Sequence, residues 1–153
     1  MPYPKPQPVL KIFCPSNGWR ERVIKLCKFP GVKFTTLMSP REFNSFISEF
    51  SFLEKPSPFQ SELTQLVIVK EANKPEQIMP SFDHIAYGYL VDFRLVRIDD
   101  LTPEELRDFV NVRHKQGLLE WLNGEFQRLT YYKREFSLRD GIFLLTVKVI
   151  SPA

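Results

Sequence analysis

The hydrophobic pattern first becomes clear between Val9 and Phe29, where it predicts a strand, a tight turn and an amphipathic helix. Residues 9–13 are apolar apart from Lys11, and the Cys-Pro-Ser-Asn-Gly sequence that follows has the composition of a turn and a helix N-cap. Trp19, Val23 and Cys27 then recur at helical spacing, while basic residues occupy the other faces. This stretch therefore predicts an opening α/β unit whose helix packs one side on a sheet.

A second unit of strand and helix follows the Pro30-Gly31 turn. Residues 32–38 are rich in β-branched and aromatic side chains, which favour a strand. The next residues supply a serine N-cap, a proline at the first helical position and a glutamate three residues past the cap, so a helix is predicted to begin at Ser39. Its buried face should carry the apolar residues at helical spacing: Phe43, Phe46, Ile47 and Phe50.

Three further segments have the pattern of strands. Residues 63–70 contain an uninterrupted apolar run, which is typical of a strand covered on both faces, and two preceding strand–helix units favour parallel pairing through right-handed crossovers. Residues 142–150 are nearly all apolar and predict a strand inside the sheet. Residues 87–98 alternate between apolar and polar side chains. Their alternation predicts a core face of odd-numbered residues: Tyr87, Tyr89, Val91, Phe93 and Leu95.

Two helices are predicted between the last two strands. Thr102, Pro103 and Glu105 repeat the pattern of cap, first helical position and box glutamate, so a helix over 103–116 should begin there. Gly117 is expected to break or bend the run, after which leucines continue an apolar face in a helix over 118–133.

Together these patterns predict a single three-layer α/β or α+β domain over residues 9–150, with a mixed five-stranded sheet and about four helices. Residues 78–84 are interpreted as a loop or short turn. Residues 1–8 have proline at every second position and predict a flexible, proline-rich leader, and residues 151–153 a solvated C-terminal stub. The strands are expected near 9–14, 32–38, 63–70, 87–98 and 142–150, and the helices near 18–29, 39–54, 103–116 and 118–133.

Composition places the chain among soluble globular proteins. It has 153 residues, 43% of them hydrophobic, which is enough to bury a substantial core. Two cysteines are too few for a disulfide framework, so reduced thiols and a cytoplasmic setting are expected. No apolar run approaches the roughly 18 residues of a membrane span, so no membrane partner is expected.

Basic residues are concentrated at the two ends of the chain, although the formal net charge is only +3. Residues 1–33 carry seven lysines or arginines against one acidic residue, whereas residues 34–112 carry seven against thirteen and residues 113–153 seven against four. If the first strand lay beside the last, the two ends would form one positive surface suited to phosphate, nucleic acid or an acidic protein. Residues 128–139 interleave basic and aromatic side chains, which suits single-stranded nucleic acid as well as an ordinary helix end.

The turn after the first strand contains Cys14 and Arg20 at the spacing C-x5-R. In these residues it resembles the phosphate loop of cysteine-dependent phosphatases, the low-molecular-weight class in particular. The resemblance implies a thiolate nucleophile at Cys14 and an arginine clamp on the phosphoryl oxygens at Arg20. Pro15, Trp19 and Glu21 would crowd or repel an anion there, and no Asp-Pro general-acid pair follows. The sequence therefore favours a core thiol over a nucleophile.

Since no reactive set is complete, the sequence predicts a binding or regulatory protein rather than an enzyme. The two histidines show no metal-ligand spacing, so neither a metal nor a cofactor is expected. We expect another protein as the partner, bound through exposed helix faces, with nucleic acid as the first alternative and cysteine-dependent phosphate chemistry as the second. The residues predicted to bind an anion or nucleic acid are Asn17, Gly18, Arg20, Arg22, Lys25, Arg128, Lys133 and Arg134.

Overall fold

A computed structural model describes residues 7–14, 16–49, 63–70, 81–110, 113–130 and 134–153 of the chain. Within those ranges the strands are β1 (Val9–Ile12), β2 (Lys33–Met38), β3 (Thr64–Lys70), β4 (Ser81–Arg97) and β5 (Gly141–Pro152). The helices are α1 (Asn17–Leu26), α2 (Pro40–Ile47), α3 (Pro103–Val110), α4 (Lys115–Trp121) and α5 (Gln127–Thr130). A 3₁₀ turn lies at Ile98–Asp100, and a π-helical segment at Leu122–Phe126 joins α4 to α5 in one continuous helical run.

The strands form one mixed five-stranded sheet, as predicted from the sequence, and their order in it is β1-β3-β4-β5-β2. β1 and β3 are parallel, and the other neighbours are antiparallel. β2 lies at the far edge beside β5 and not next to β1 or β3, so the predicted series of parallel crossovers is correct only for β1 and β3. The two edge strands, β1 and β2, nevertheless contact each other, which means that the sheet curves strongly round towards closure.

One face of the sheet packs on α1 and α2, and we call it the α1 face. α1 contributes Trp19, Val23 and Cys27 to this core, at the spacing predicted from the sequence. α2 contributes Phe43 and Phe46, and the Phe43 ring stacks on Phe143 of β5 with 3.8 Å between ring centroids. Half-buried Ile47 packs at the margin of the same core, whereas Phe50 lies outside the described residues.

The opposite face, which we call the α4 face, packs on the run from α3 to α5 over part of its area. Phe126 of the π-helical segment is fully buried here, and its ring contacts those of Phe13, Trp121 and Phe136. The sheet side chains that meet these helices come from four strands or their ends: Phe13, Leu37, Val69, Ile142 and Leu144. The domain therefore has three layers, and the strands β3 and β5, which are internal to the sheet, contribute side chains to the cores on both faces.

The prediction of which β4 residues face the core is wrong. Ala86, Gly88 and Leu90 are the buried residues of this strand, and they point to the α1 face. Gly88 approaches β5 so closely that a Cβ there would lie 2.6 Å from the Lys148 carbonyl oxygen. A register shift between Leu90 and Asp92 then reverses the alternation along the rest of the strand. Small residues and a bulge, rather than the large odd-numbered side chains, thus decide how β4 packs.

Several predicted boundaries also differ from the structure. Residues 81–84, interpreted as a loop, belong to β4, because they pair with the end of β3. Ser151 and Pro152, interpreted as a stub, extend β5 and pair with Tyr87 and Ala86. α1 and α2 end three and seven residues before their predicted ends at residues 29 and 54. Of the predicted leader, Pro8 already accepts a hydrogen bond from the backbone N–H of Gln65, whereas residues 1–6 lie outside the described ranges.

The predicted helix starts are confirmed by their caps. Ser39 accepts a hydrogen bond from the backbone N–H of Glu42 at 3.3 Å. Thr102 and Glu105 form a reciprocal capping box, in which each side chain accepts from the other residue's backbone N–H at 3.1 Å. These contacts are local, which is why the sequence alone locates them.

Candidate functional site

The turn that contains Cys14 lies at the carboxyl end of β1, on the same edge of the sheet as the carboxyl end of the parallel strand β3. Ser16 caps α1 by accepting from the backbone N–H of Trp19 at 3.1 Å, and its carbonyl accepts from that of Arg20. Residues 71–80, which follow β3 in the chain, lie outside the described ranges. Asn17 and Gly18, predicted to bind an anion, are exposed in the first turn of α1.

Cys14 itself is buried at the end of the strand. Its thiol lies near the Arg20 guanidinium, which favours the ionised thiolate, and near the Glu125 carboxylate, which opposes it. Burial raises the pKa of Cys14 to about 11, and Arg20, which lowers it, does not offset that effect. A nucleophilic thiol needs the opposite shift, so this geometry does not favour phosphate chemistry at Cys14.

Glu125 lies on the π-helical segment, which no pattern in the sequence indicates. The wider turn is held by Asn123, whose side chain accepts from the Phe136 backbone N–H at 2.6 Å and donates to the Phe136 carbonyl at 3.0 Å. Gln127 donates to the carbonyl of Arg134 at 2.7 Å. A π-helical turn adds one residue to the helical repeat and so changes which side chains face the turn after β1.

The burial of both cysteines predicts how the stability of the protein depends on pH and how slowly the thiols are alkylated. Burial also raises the pKa of Cys27, to about 12. Because the folded state holds both protons more tightly than the unfolded chain, this contribution to stability is complete below the ordinary thiol pKa of 9.0 and is lost as the pH rises towards 11.

We expect iodoacetamide to modify neither thiol rapidly at pH 7.5 until the protein is unfolded, as measured by mass spectrometry. Cys14→Ala and Cys27→Ala assign the reacting residue, and rapid alkylation of folded Cys14 below pH 7 would contradict the expectation.

The basic residues of the two chain ends do not meet through the first and last strands, which is how the sequence suggested they would; Lys33 and Lys148 meet instead through β2 and β5. β1 lies beside β3 and not beside β5, so the first and last strands are not neighbours. Arg22 and Lys25 are exposed on α1, with the Arg22 guanidinium 5.5 Å from the Trp19 ring centroid. In the other group, Arg128 is exposed on α5 and Arg134 pairs with Asp140 at 3.1 Å, while Lys133 lies outside the described residues.

A different basic surface lies on the part of the α4 face that the helices leave accessible, and we call it the open face. Strand register places its side chains together, because cross-strand partners share a face and alternate residues along a strand share it too. Its members are exposed or half-buried and come from all five strands: Lys11, Lys33, Thr35, Gln65, Phe82, His84, Tyr87, Tyr89, Asp92, Thr146 and Lys148.

Two lysines lie directly opposite each other at the β2 side of the open face. Lys33 of β2 pairs with Lys148 of β5, and Lys148 pairs on its other side with Tyr89 of β4. Like charges in directly opposed positions destabilise a sheet. Beside them the hydroxyls of Thr35 and Thr146 share a hydrogen bond of 3.0 Å. The face therefore presents adjacent ammonium groups next to an aromatic ring and two hydroxyls.

Aromatic side chains continue along β4, the middle strand of the sheet. The His84 and Tyr87 rings meet edge to face with 4.6 Å between centroids. The ring of Phe82 is 47% exposed, and the Lys11 ammonium lies 5.5 Å from its centroid. The sequence analysis missed this surface because it assigned Tyr87 and Tyr89 to the core. The signal that could have identified it is the smaller pair Ala86 and Gly88 in the alternate positions.

Lys11 also borders a cavity of about 190 Å³ where the two edge strands approach each other. α2 closes one side of this cavity, and its Glu49 carboxylate accepts from the backbone N–H of Val9 at 3.5 Å. The other polar residues around it are Glu42, Ser45 and Ser48. The cavity lies at the margin of the open face and shares one lysine with it.

In the part of the chain that the structure describes, no three side chains of the histidine, cysteine or carboxylate type come together as metal ligands would. Among the described helices, none combines the length and the hydropathy needed to cross a membrane.

These features define a mixed α/β domain with a curved five-stranded sheet, layered by helices and accessible on part of one face. Similar architecture is found in the crystal structure of protein EF3133 from Enterococcus faecalis V583, a DUF984 protein. The two structures superpose with a TM-score of 0.54 over 96% of this chain and 82% of that one, at 11% sequence identity. No family model and no curated protein sequence matches the chain. At this identity the likeness establishes the fold alone.

Proposed function

We propose that the protein is a non-catalytic binding protein that takes single-stranded nucleic acid on its open face. The observation that carries the proposal is the opposed pair Lys33 and Lys148 beside Tyr89. A phosphate between the two ammonium groups would relieve their repulsion, and the neighbouring ring offers a surface on which a base can stack. Nucleic-acid binding is retained from the sequence-based prediction, but it is assigned to the open face and not to the eight residues predicted from the sequence.

The arrangement of the other side chains supports a single strand over a duplex. Aromatic rings spaced along the middle strand of an accessible sheet suit splayed-out bases, which a duplex keeps stacked on one another. Lys11 at one end and Lys33 at the other provide positive charge on both sides of the aromatic row. Among the members of the open face only Asp92 is acidic, so the balance of charge favours a polyanion.

Binding of a labelled twelve-nucleotide single strand, measured by fluorescence anisotropy, tests this proposal. Tyr89→Ala should cost about 1–3 kcal/mol of binding free energy, the typical contribution of one stacked base. Three phosphate contacts predict that the logarithm of the affinity falls with the logarithm of salt concentration at a slope of about 2.

The control for this measurement is Phe29→Ala, which removes a 60% exposed ring from the segment between α1 and β2, outside the open face, and should leave affinity unchanged. Circular dichroism checks that Tyr89→Ala still folds. Equal affinity for single strand and duplex, or a Tyr89→Ala variant that binds like the parent, would argue against stacking on the open face.

A protein partner bound at α1 is the second candidate, in line with the helix-face prediction. Ile24 and Phe29 are 36% and 60% exposed, which is unusual for large apolar side chains, and basic residues flank them. Phe29→Glu should then abolish partner binding without changing oligonucleotide binding. Phosphate chemistry at Cys14 gains no support from its raised pKa and the nearby Glu125 carboxylate.

A further inference from the structure

A groove of about 330 Å³ lies between the start of α3, the start of α4 and the segment that leads into β5. Its floor is apolar and includes Leu138, whose side chain is 37% exposed. Concave, mostly apolar sites of this size with a few polar groups at one side are typical of small-molecule binding. The floor consists of Leu101, Pro103, Leu106 and Leu138, and the rim of Arg113, His114, Lys115 and Gln116.

The charges around the groove are of one sign. Three of its eight described lining residues are basic side chains and none is acidic. Lys115 is already engaged, because its ammonium donates to the carbonyl of Asp99 and lies 3.4 Å from the carboxylate of the same residue. The side chains of Arg113 and His114 make no hydrogen bond or ion pair with any residue in the described ranges. The free positive charge therefore lies at one end of an apolar floor.

We propose that this groove binds a small carboxylate with an apolar body, such as a medium-chain or aryl carboxylic acid. The apolar body lies on Pro103 and Leu138, the exposed residues of the floor, where it removes their surface from water. The carboxylate accepts charge-assisted hydrogen bonds from Arg113, whose planar guanidinium can donate two in parallel, and from His114. The site is separate from the open face and does not depend on the proposed nucleic-acid binding.

The probe for this site is octanoate below its micellar concentration, with octanol as the uncharged match. Titration followed by two-dimensional ¹⁵N NMR of the full chain should give saturable shifts at Leu101, Leu106, Gln116 and Leu138. Octanol should bind about tenfold more weakly, since it lacks the charge that Arg113 recognises, and Arg113→Gln should weaken octanoate by about tenfold as well.

Arg107→Gln is the matched control, because Arg107 is exposed on α3, pairs with Asp108 and does not line the groove. Leu138→Asn provides a second variant at a partly exposed position and should weaken both ligands. Equal affinity for octanoate and octanol, unchanged octanoate affinity in Arg113→Gln, shifts located elsewhere or no saturable shift would each overturn the proposal.

Discussion

Lys33→Glu is expected to strengthen the fold and to abolish most nucleic-acid binding at the same time. The substitution turns a like-charge pair with Lys148 into an opposite-charge pair, which should raise the free energy of unfolding by about 0.2–1 kcal/mol. The new carboxylate also neutralises Lys148 and repels phosphate, so single-strand affinity should fall by about 100-fold or more. Urea denaturation measures the first effect and fluorescence anisotropy the second.

Two further variants make this prediction specific. Lys33→Glu combined with Lys148→Glu restores a like-charge pair, so the gain in stability should disappear while binding stays lost. Lys28→Glu changes the net charge equally at an exposed position beyond α1 and should alter affinity by no more than about threefold. If Lys28→Glu weakened binding as much as Lys33→Glu, overall charge and not the open face would be responsible.

Phe126→Ala should cost about 3–5 kcal/mol of folding free energy, the typical cost of removing a fully buried phenylalanine. Phe126 has no exposed surface, and its ring lies 4.9 Å from that of Phe13 and 5.3 Å from that of Trp121, measured between centroids. It therefore joins the end of β1 to the π-helical segment. The loss is measured by urea denaturation with far-ultraviolet circular dichroism.

Phe29→Ala is the control for this measurement, since the Phe29 ring is exposed and should contribute within about 0.5 kcal/mol. Thr130 donates to the Phe126 backbone carbonyl at 2.7 Å, a bond that alanine keeps, so the change isolates ring packing. A cost for Phe126→Ala below about 1 kcal/mol would mean that the helical run is not docked on the sheet as described.

Parts of the fold that depend on neighbouring residues could be predicted from the sequence. The hydrophobic repeat located α1 and α2, although the helix predicted over 39–54 is about twice as long as α2. Hydroxyl caps located the starts of α2 and α3. The apolar runs of β3 and β5 predicted strands inside the sheet, and both strands lie there with side chains in the two cores. The buried state of Cys14 also follows the interpretation preferred from Pro15, Trp19 and Glu21.

The candidate site could not be predicted, because it depends on how distant residues align. Lys33 and Lys148 are far apart in sequence, and only the antiparallel register of β2 and β5 makes them neighbours. Tyr87 and Tyr89 were predicted to be core residues because they continue the alternation of Val91, Phe93 and Leu95. In the folded chain Ala86 and Gly88 are buried instead, and the close approach of β5 leaves no room for a side chain at Gly88.

The sequence by itself determined the class of the fold, because hydrophobic period and cap chemistry act over a few residues and specify each element separately. Only the tertiary structure decided the strand order, the bulges of β4 and the π-helical turn that contains Glu125. Each of these results from packing between elements far apart along the chain, where a shift of one residue moves a side chain to the opposite face. The register of β4 against β5 places Tyr87 and Tyr89 outside the core, on the open face that is proposed to bind nucleic acid.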